Sequence, residues 1–308
     1  MGYAKSTIGL TYFTYRNIVS RPFYYTTLLL LTLIIFLSKF ITLFTFHQEM
    51  NMVREMGIST IAFFGFLSTL ILSGSIITGE LEDKTALTLL SKPLSRTTFL
   101  VGKFLGLVFA IAPGIFILSG TLFLTLWWMN APSVFGNDAL MWALGHPSTP
   151  QTNPFPVMIP NQSLFSETTG CLQVAWTFGL KTNLILTAQG GVLSFLQGAI
   201  IASLCIGLSA FFPVLVSTST TAALFILGNI SEYMIGSISA GNSPVFSFLA
   251  NLIYYLLPNL GYFNLQTFFN EGRIISNLYI FYCALYAVLY CFAVLLISSI
   301  AFQRREIR

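Results

Sequence analysis

Charge is scarce in this chain. Only 8% of its 308 residues are Asp, Glu, Lys or Arg, against roughly 25% in a soluble domain. So few polar side chains cannot cover a water-facing surface of this size, so much of the surface must meet lipid. Histidine is rarer still: His47 and His146 are the only two. Of four cysteines, Cys205, Cys283 and Cys291 sit inside apolar runs, where the thiol packs as a small hydrophobe. Cys171 stands alone in a polar segment. With no CxxC and no Cys/His cluster, neither a metal site nor an intrachain disulfide framework is expected. No basic cluster is long enough to track a phosphate backbone, which removes nucleic acid as a partner despite the formal charge of +4.

Catalytic patterns are missing too. There is no GxxxxGK[ST]: Gly102-Lys103 leads into Phe104 and lacks the upstream glycine that lets backbone N–H groups converge on a phosphate. No Ser/His/Asp or His/Glu/His constellation occurs, and no string of buried carboxylates could relay protons. No catalytic, cofactor or metal residue is assigned, and any ATP chemistry must belong to another chain.

What the sequence has is long apolar runs. Runs near 20 residues read as membrane-crossing helices, because backbone in lipid must satisfy its own hydrogen bonds. Six are expected, at about 23–46, 58–78, 99–126, 192–212, 216–235 and 278–302. Pro22 suits the first turn of the first helix, and Pro213 starts the fifth. Pro113-Gly114 should loosen the third. The first run is preceded by about twenty residues and lacks a small-x-small site, so it reads as a retained anchor rather than a leader.

Lys and Arg orient the array. With the N-terminus inside, ten basic residues fall inside: Lys5, Arg16, Arg21, Lys84, Lys92, Arg96, Lys103, Arg304, Arg305 and Arg308. Three fall outside, namely Arg54, Lys181 and Arg273. Lys39 lies within the first run, close enough to its outer end to snorkel. This positive-inside bias requires an even number of crossings and puts both termini in the cytoplasm. Residues 1–21 mix Lys5 and Arg16 with Ile8, Leu10, Tyr12 and Phe13, the pattern of an amphipathic helix on the lipid surface.

Two outer segments interrupt the runs. Residues 127–189 form a long loop, opened by Trp127 and Trp128 and carrying Pro147, Pro150, Pro154, Pro156 and Pro160. It reads as a cap or as a docking surface for an extracytoplasmic partner. Residues 237–277 contain an apolar core, 245–257, too short to cross. A re-entrant or interfacial hairpin is expected there, with Pro258, Asn259, Phe263 and Asn264 at its return. Within the runs, Lys39 and Glu232 are the charges expected to stand out. Glu232, with Asn229, reads either as lining a pathway or as reaching interfacial water or a neighbouring helix.

The most charged stretch lies between the second and third runs. Glu80, Glu82, Asp83, Lys84, Lys92 and Arg96 are six of the chain's 24 charged residues within 18 positions. Glu80 to Leu90 has helical propensity, with Leu81, Thr85 and Leu89 on one face. Pro93 stops it and Ser95 suits a helix N-cap. A short helix along the membrane surface is expected.

The string Ile77-Thr78-Gly79-Glu80, then Lys84-Thr85, then Leu89-Leu90-Ser91-Lys92-Pro93-Leu94-Ser95-Arg96 and Lys103, resembles the intracellular loop of ABC type-2 permeases. Leu257-Pro258-Asn259-Leu260 with Phe263-Asn264 resembles their outer segment before the last crossing, and Phe302-Gln303-Arg304-Arg305-Glu306 their C-terminus. The resemblance covers nearly the whole chain in order. It implies an all-α, integral membrane permease domain over 1–308 with six transmembrane helices, in the cytoplasmic (inner) membrane of a prokaryote. It further implies a cytoplasmic coupling loop at 79–98 that docks on separate ATPase subunits, which hold the ATP and magnesium. Glu80, Leu81, Glu82, Lys84, Thr85 and Leu89 would make the contact, with Pro93 and Arg96 setting the return. A second permease copy, identical or paralogous, would complete the pathway, and Gly65, Ser68, Ser73, Gly74 and Ser75 would pack either between subunits or within one. Export is the implied direction. The alternatives are a membrane anchor or assembly component of such a complex, docking an extracytoplasmic partner, and a stand-alone secondary transporter.

Overall fold

A computed structural model describes residues 2–41, 49–82, 96–135, 167–238, 257–264 and 275–304, with side chains over 7–40, 50–73, 97–129, 181–229, 257–264 and 275–301. Among the described residues there are seven α-helices, one 3-10 turn and no strand. They are α1 (Gly2–Val19), α2 (Pro22–Ile41), α3 (Glu49–Glu82), α4 (Arg96–Phe135), α5 (Glu167–Ser209), α6 (Val214–Ile238) and α7 (Asn277–Arg304). The 3-10 turn is Gly261–Phe263.

Among the described residues, five stretches are long and apolar enough to cross a bilayer: Pro22–Phe40, Met50–Ser73, Thr97–Met129, Lys181–Ser209 and Asn277–Ala301. The remaining expected run lies in α6, whose apolar stretch over fully described residues is Val214–Asn229. The outward faces suit lipid: Leu29, Leu33, Phe116, Leu215, Phe281, Val288, Phe292 and Ile297 are all exposed.

Helices α3, α4 and α5 are longer than their apolar runs. At 34, 40 and 43 residues they measure about 50, 60 and 65 Å at 1.5 Å per residue. The segment 127–189, read from sequence as loop, is therefore helical over 127–135 and 167–189. Polar Thr, Asn and Gln are compatible with helix, and Pro147, Pro150, Pro154, Pro156 and Pro160 fall between the two helices, while Pro132 lies in the last turns of α4. Residues 136–166 lie outside the described residues. At the other end, α3 runs through Gly79, so Glu80, Leu81 and Glu82 form its last turn.

Lipid offers no hydrophobic drive between helices, so small residues set how closely they approach. Helices α3 and α5 run parallel and meet at Gly65 and Gly198, where a Cβ on either glycine would lie 3.5–4.0 Å from the other backbone. Ile58 seats on Gly190, and the Ser73 hydroxyl bonds Cys205 Sγ at 2.7 Å. Gly65 and Ser73 therefore pack within one subunit. Helix α4 runs antiparallel to both. Gly57 faces Leu122, Gly114 faces Phe64, and Gly191 faces Ser119.

Pro113 has no N–H to donate to the turn before it. Beside that gap the Tyr24 hydroxyl donates to the Ala110 carbonyl at 3.0 Å, tying α2 to α4. Helix α1 lies on the first turns of α4 through Leu10, Thr14 and Ile18, all buried. Gly102 leaves room for Leu10, and Gly106 for Thr14 and the Thr11 carbonyl. Helix α7 closes the bundle against α5, with Ser298 on Gly207 and Cys291 Sγ bonded to the Ala199 carbonyl at 3.5 Å.

These contacts fix the polarity of the array. Helix α1, the end of α3 at Glu82, the start of α4 at Arg96, the α5–α6 turn and the end of α7 gather at one end. The start of α3, the end of α4 and the start of α7 gather at the other.

Candidate functional site

At the first end, the charged segment begins on regular helix. Glu80, Leu81 and Glu82 are carried by the last turn of α3, and Arg96 is the first residue of α4. Both helices are held by the α1–α4 and α3–α5 contacts, so the segment between them hangs from two rigid posts. Lys84, Thr85, Leu89 and Pro93 lie outside the described residues.

Inside the expected third run, 99–126, sits a charge that the sequence reading counted on the cytoplasmic side. Lys103 is fully buried, and its ammonium stands 5.5 Å from the centre of the Phe99 ring. Arg54 at the opposite end corrects the reading in the same way, since it too lies inside an apolar stretch and is only 7% exposed. Its guanidinium donates to Asn183 Oδ1 at 3.0 Å, and to Asn51 Oδ1 at 3.4 Å. Lys39 and Glu232 were thus not the only charges within the apolar stretches. For Lys103 the signal available in the sequence was its place inside the expected run 99–126; Arg54 precedes the expected run 58–78, so its depth was not visible. Lys39 does reach the aromatic belt, with its ammonium 4.8 Å from the Trp128 ring.

The second cluster is the Pro-Asn-Leu-Gly-Tyr-Phe segment before α7. Pro258, Asn259 and Leu260 are buried, and Phe263 is buried against Tyr286, ring centres 6.2 Å apart. Asn259 organises the turn. Its side-chain oxygen accepts the Gly261 N–H at 3.0 Å, and its own N–H donates to the Tyr286 hydroxyl at 3.1 Å. Leu260 N–H donates to the Gly228 carbonyl of α6 at 3.3 Å. Gly228 is required there, because a Cβ would press on the Pro258 carbonyl at 2.8 Å and on Leu260. Asn264 is exposed, and its N–H closes the 3-10 turn on the Gly261 carbonyl at 2.9 Å.

A further clasp joins the two sides of this segment. The Gln189 amide of α5 donates to the Ile275 carbonyl at 2.9 Å and accepts the Ile275 N–H at 3.2 Å. Sequence reasoning placed Gln189 in a loop and missed it. Residues 239–256 and 265–274 lie outside the described residues, and with them most of the apolar core expected to form the hairpin.

Asn229 and Glu232, taken together from sequence, part company in what can be said of them. Asn229 turns its amide onto its own helix, donating to the Phe225 carbonyl at 2.9 Å. Glu232 sits on α6, its side chain outside the description. Pro258, Asn259 and Phe263 are brought together with Gly228 and Tyr286, while Gln189 holds Ile275; Glu80, Leu81 and Glu82 lie on α3 at the other end of the bundle. Among the described residues no group of three or more His, Cys, Asp or Glu is placed to hold a metal ion.

With this geometry in place, comparison with known proteins is informative. A family model described as ABC-2 family transporter protein matches residues 18–307. No curated protein matches the chain.

Proposed function

The chain belongs to the ABC-2 transporter family, as a membrane subunit of an ATP-binding-cassette transporter, and from that premise we propose that it is an exporter permease driven by separate cytoplasmic ATPase subunits. The carrying observation is the match over residues 18–307, in a chain whose most charged segment hangs between the inner ends of α3 and α4. In this reading Glu80, Leu81, Glu82, Lys84, Thr85 and Leu89 dock on the ATPase, while Pro93 and Arg96 return the chain to α4. ATP and magnesium are bound and turned over by the partner.

Six crossings, both termini in the cytoplasm, and a cytoplasmic membrane of prokaryotic type complete the proposal. Gathering α1, Glu82, Arg96 and the end of α7 at one end supports it, since among the described residues that end carries Lys5, Arg16, Arg21, Arg96, Lys103 and Arg304. A second copy or a paralogue completes the pathway. Because Gly65 and Ser73 are engaged within the subunit, the partner copy must pack on other faces. The 258–264 turn acts as the outer gate, and the 136–166 segment meets any extracytoplasmic partner.

Co-expression with the cognate ATPase tests this. A stable complex is expected in detergent, lost in Glu80→Ala and Leu81→Ala variants that still fold. A permease that never associates, or associates equally well in both variants, contradicts the proposal.

A further inference from the structure

Helix α1 has a face that suits neither water nor hydrocarbon. Leu10, Thr14 and Ile18 are buried on α4. Away from α4, Ile8, Tyr12, Arg16 and Ser20 follow one another at intervals of four, which makes them neighbours on the helix surface. All four are exposed, Ile8 by 70% and Tyr12 by 63%, with Phe13 beside Arg16 exposed by 55%. In water, apolar side chains grouped in this way form a surface that calls for cover. In hydrocarbon, the Arg16 guanidinium would be costly. A headgroup layer satisfies both.

The packing puts the face at that depth. Leu10 seats on Gly102 and Thr14 on Gly106, so α1 and α4 ascend together, four residues for four. One turn further along α4, the Tyr24 hydroxyl of α2 reaches the Ala110 carbonyl. At the far end Phe36 and Lys39 of α2 both meet Trp128 of α4, a residue type that marks the membrane–water boundary. About 20 residues back from Trp128, roughly 30 Å of helix, the other hydrocarbon boundary falls near Val108. Arg16, two residues after Thr14, is level with that boundary. Tyr12 and Phe13 lie just beyond it, among headgroups. Helix α2 begins after only Ser20 and Arg21, and its exposed Tyr25 and Leu29 carry the exterior into the lipid.

Charge selects the lipid. Residues 1–41 and the whole of α4 contain no Asp or Glu, against Lys5, Arg16, Arg21, Lys39, Arg96 and Lys103. The ammonium of a zwitterionic headgroup therefore meets no carboxylate on this side, while an anionic headgroup meets only positive charge. A guanidinium takes phosphate oxygens through paired N–H donors. We propose that the exposed face of α1 binds anionic phospholipid of the adjoining leaflet, with Arg16 on the phosphate and Tyr12 and Phe13 against the glycerol and upper acyl chains. Bound lipid then holds the first turns of α4 at headgroup height through Leu10 and Thr14. The lipid site requires only that the bundle crosses a bilayer, and does not rest on the transport reading.

The test uses the full-length chain in nanodiscs of phosphatidylcholine mixed with phosphatidylglycerol and, separately, with phosphatidylethanolamine. Lipid that stays bound after release from the disc is counted by native mass spectrometry and expressed as preference over phosphatidylcholine. Wild type is expected to prefer phosphatidylglycerol. Arg16→Gln is expected to lower that preference about five-fold, the worth of one basic side chain at a membrane surface. Arg16→Lys is expected to keep most of it, and Ser20→Lys in the Arg16→Gln background to restore it. Phosphatidylethanolamine retention is expected to be the same in every variant, as is the thermal midpoint in phosphatidylcholine alone, because both positions are exposed. The proposal is overturned if wild type shows no preference, if Arg16→Gln keeps it, if Arg16→Lys loses as much as Arg16→Gln, or if phosphatidylethanolamine retention falls equally. An Arg16→Gln variant that keeps its lipid preference and instead loses the cognate ATPase would make this face a protein-docking surface, and the lipid proposal would fall. A chain that passes the lipid test yet never binds an ATPase would refute the transport reading and leave the lipid site standing.

Discussion

The clasp of Gln189 on Ile275 gives a sharp perturbation. Gln189 offers both halves of its amide to one residue, at 2.9 and 3.2 Å, and both partners are buried. Gln189→Leu keeps a side chain of similar volume and removes both bonds. It strands the Ile275 N–H and C=O in a site where Ile275 is 8% exposed. A buried polar group left unmade costs roughly 1–3 kcal/mol, so the two together weaken local closure by about 2–6 kcal/mol. That corresponds to about a 30- to 30,000-fold rise in the opening equilibrium at this point. Hydrogen exchange of the Ile275 amide, followed in detergent-solubilised protein, reads that equilibrium directly. Gln189→Glu is expected to fare no better, because a carboxylate cannot donate to the Ile275 carbonyl. Unchanged exchange at Ile275 in Gln189→Leu would refute the idea that this amide anchors the segment before α7.

Other sites give independent checks. Arg54→Met removes the donor to Asn183 and is expected to lower stability by about 1–3 kcal/mol in thermal unfolding, with Asn183→Ala showing a related loss. Tyr24→Phe deletes the bond to the Ala110 carbonyl beside Pro113 and should cost about 1 kcal/mol by the same measurement. Gly65→Ala should be tolerated, its Cβ meeting backbone no nearer than 3.5 Å, while Gly65→Leu should abolish recovery of folded protein. Gly228→Ala pushes on the Pro258 carbonyl, and is expected to raise exchange at Leu260 while sparing the α3–α5 contact.

Much of this architecture was legible in the residues. Hydropathy located the five long apolar helices and α6, because lipid allows few alternatives to helix over such lengths. Pro22 marked the start of α2. The mixture of Lys5 and Arg16 with Ile8, Leu10, Tyr12 and Phe13 marked α1, and the structure showed that Leu10, Thr14 and Ile18 form its buried face. The ends of helices were less legible. Composition read 127–135 and 167–189 as loop, yet a helix that leaves the bilayer can continue into a polar sequence when nothing breaks it. Burial of single charges was legible only in part, from the place of Lys103 within the run 99–126. Lys103 and Arg54 look like ordinary flanks until Phe99, Asn51 and Asn183 are seen around them, residues far from obvious as partners in the linear chain. Gln189 was hidden for the same reason, its partner being a backbone 86 positions away. The glycine contacts were half visible. Gly65 was recognised as a point of close approach, and only the packing showed that Gly198 of the same subunit fills it.

The segment between α3 and α4 carries the account, and a single crosslinking measurement addresses it. A cysteine placed at Thr85 or Leu89, in a chain otherwise free of cysteine, is treated with a bifunctional thiol reagent in native membranes holding the cognate ATPase. The account predicts a covalent permease–ATPase adduct from these positions and none from a cysteine at Pro147. An adduct from Pro147, with none from Thr85 or Leu89, would contradict it.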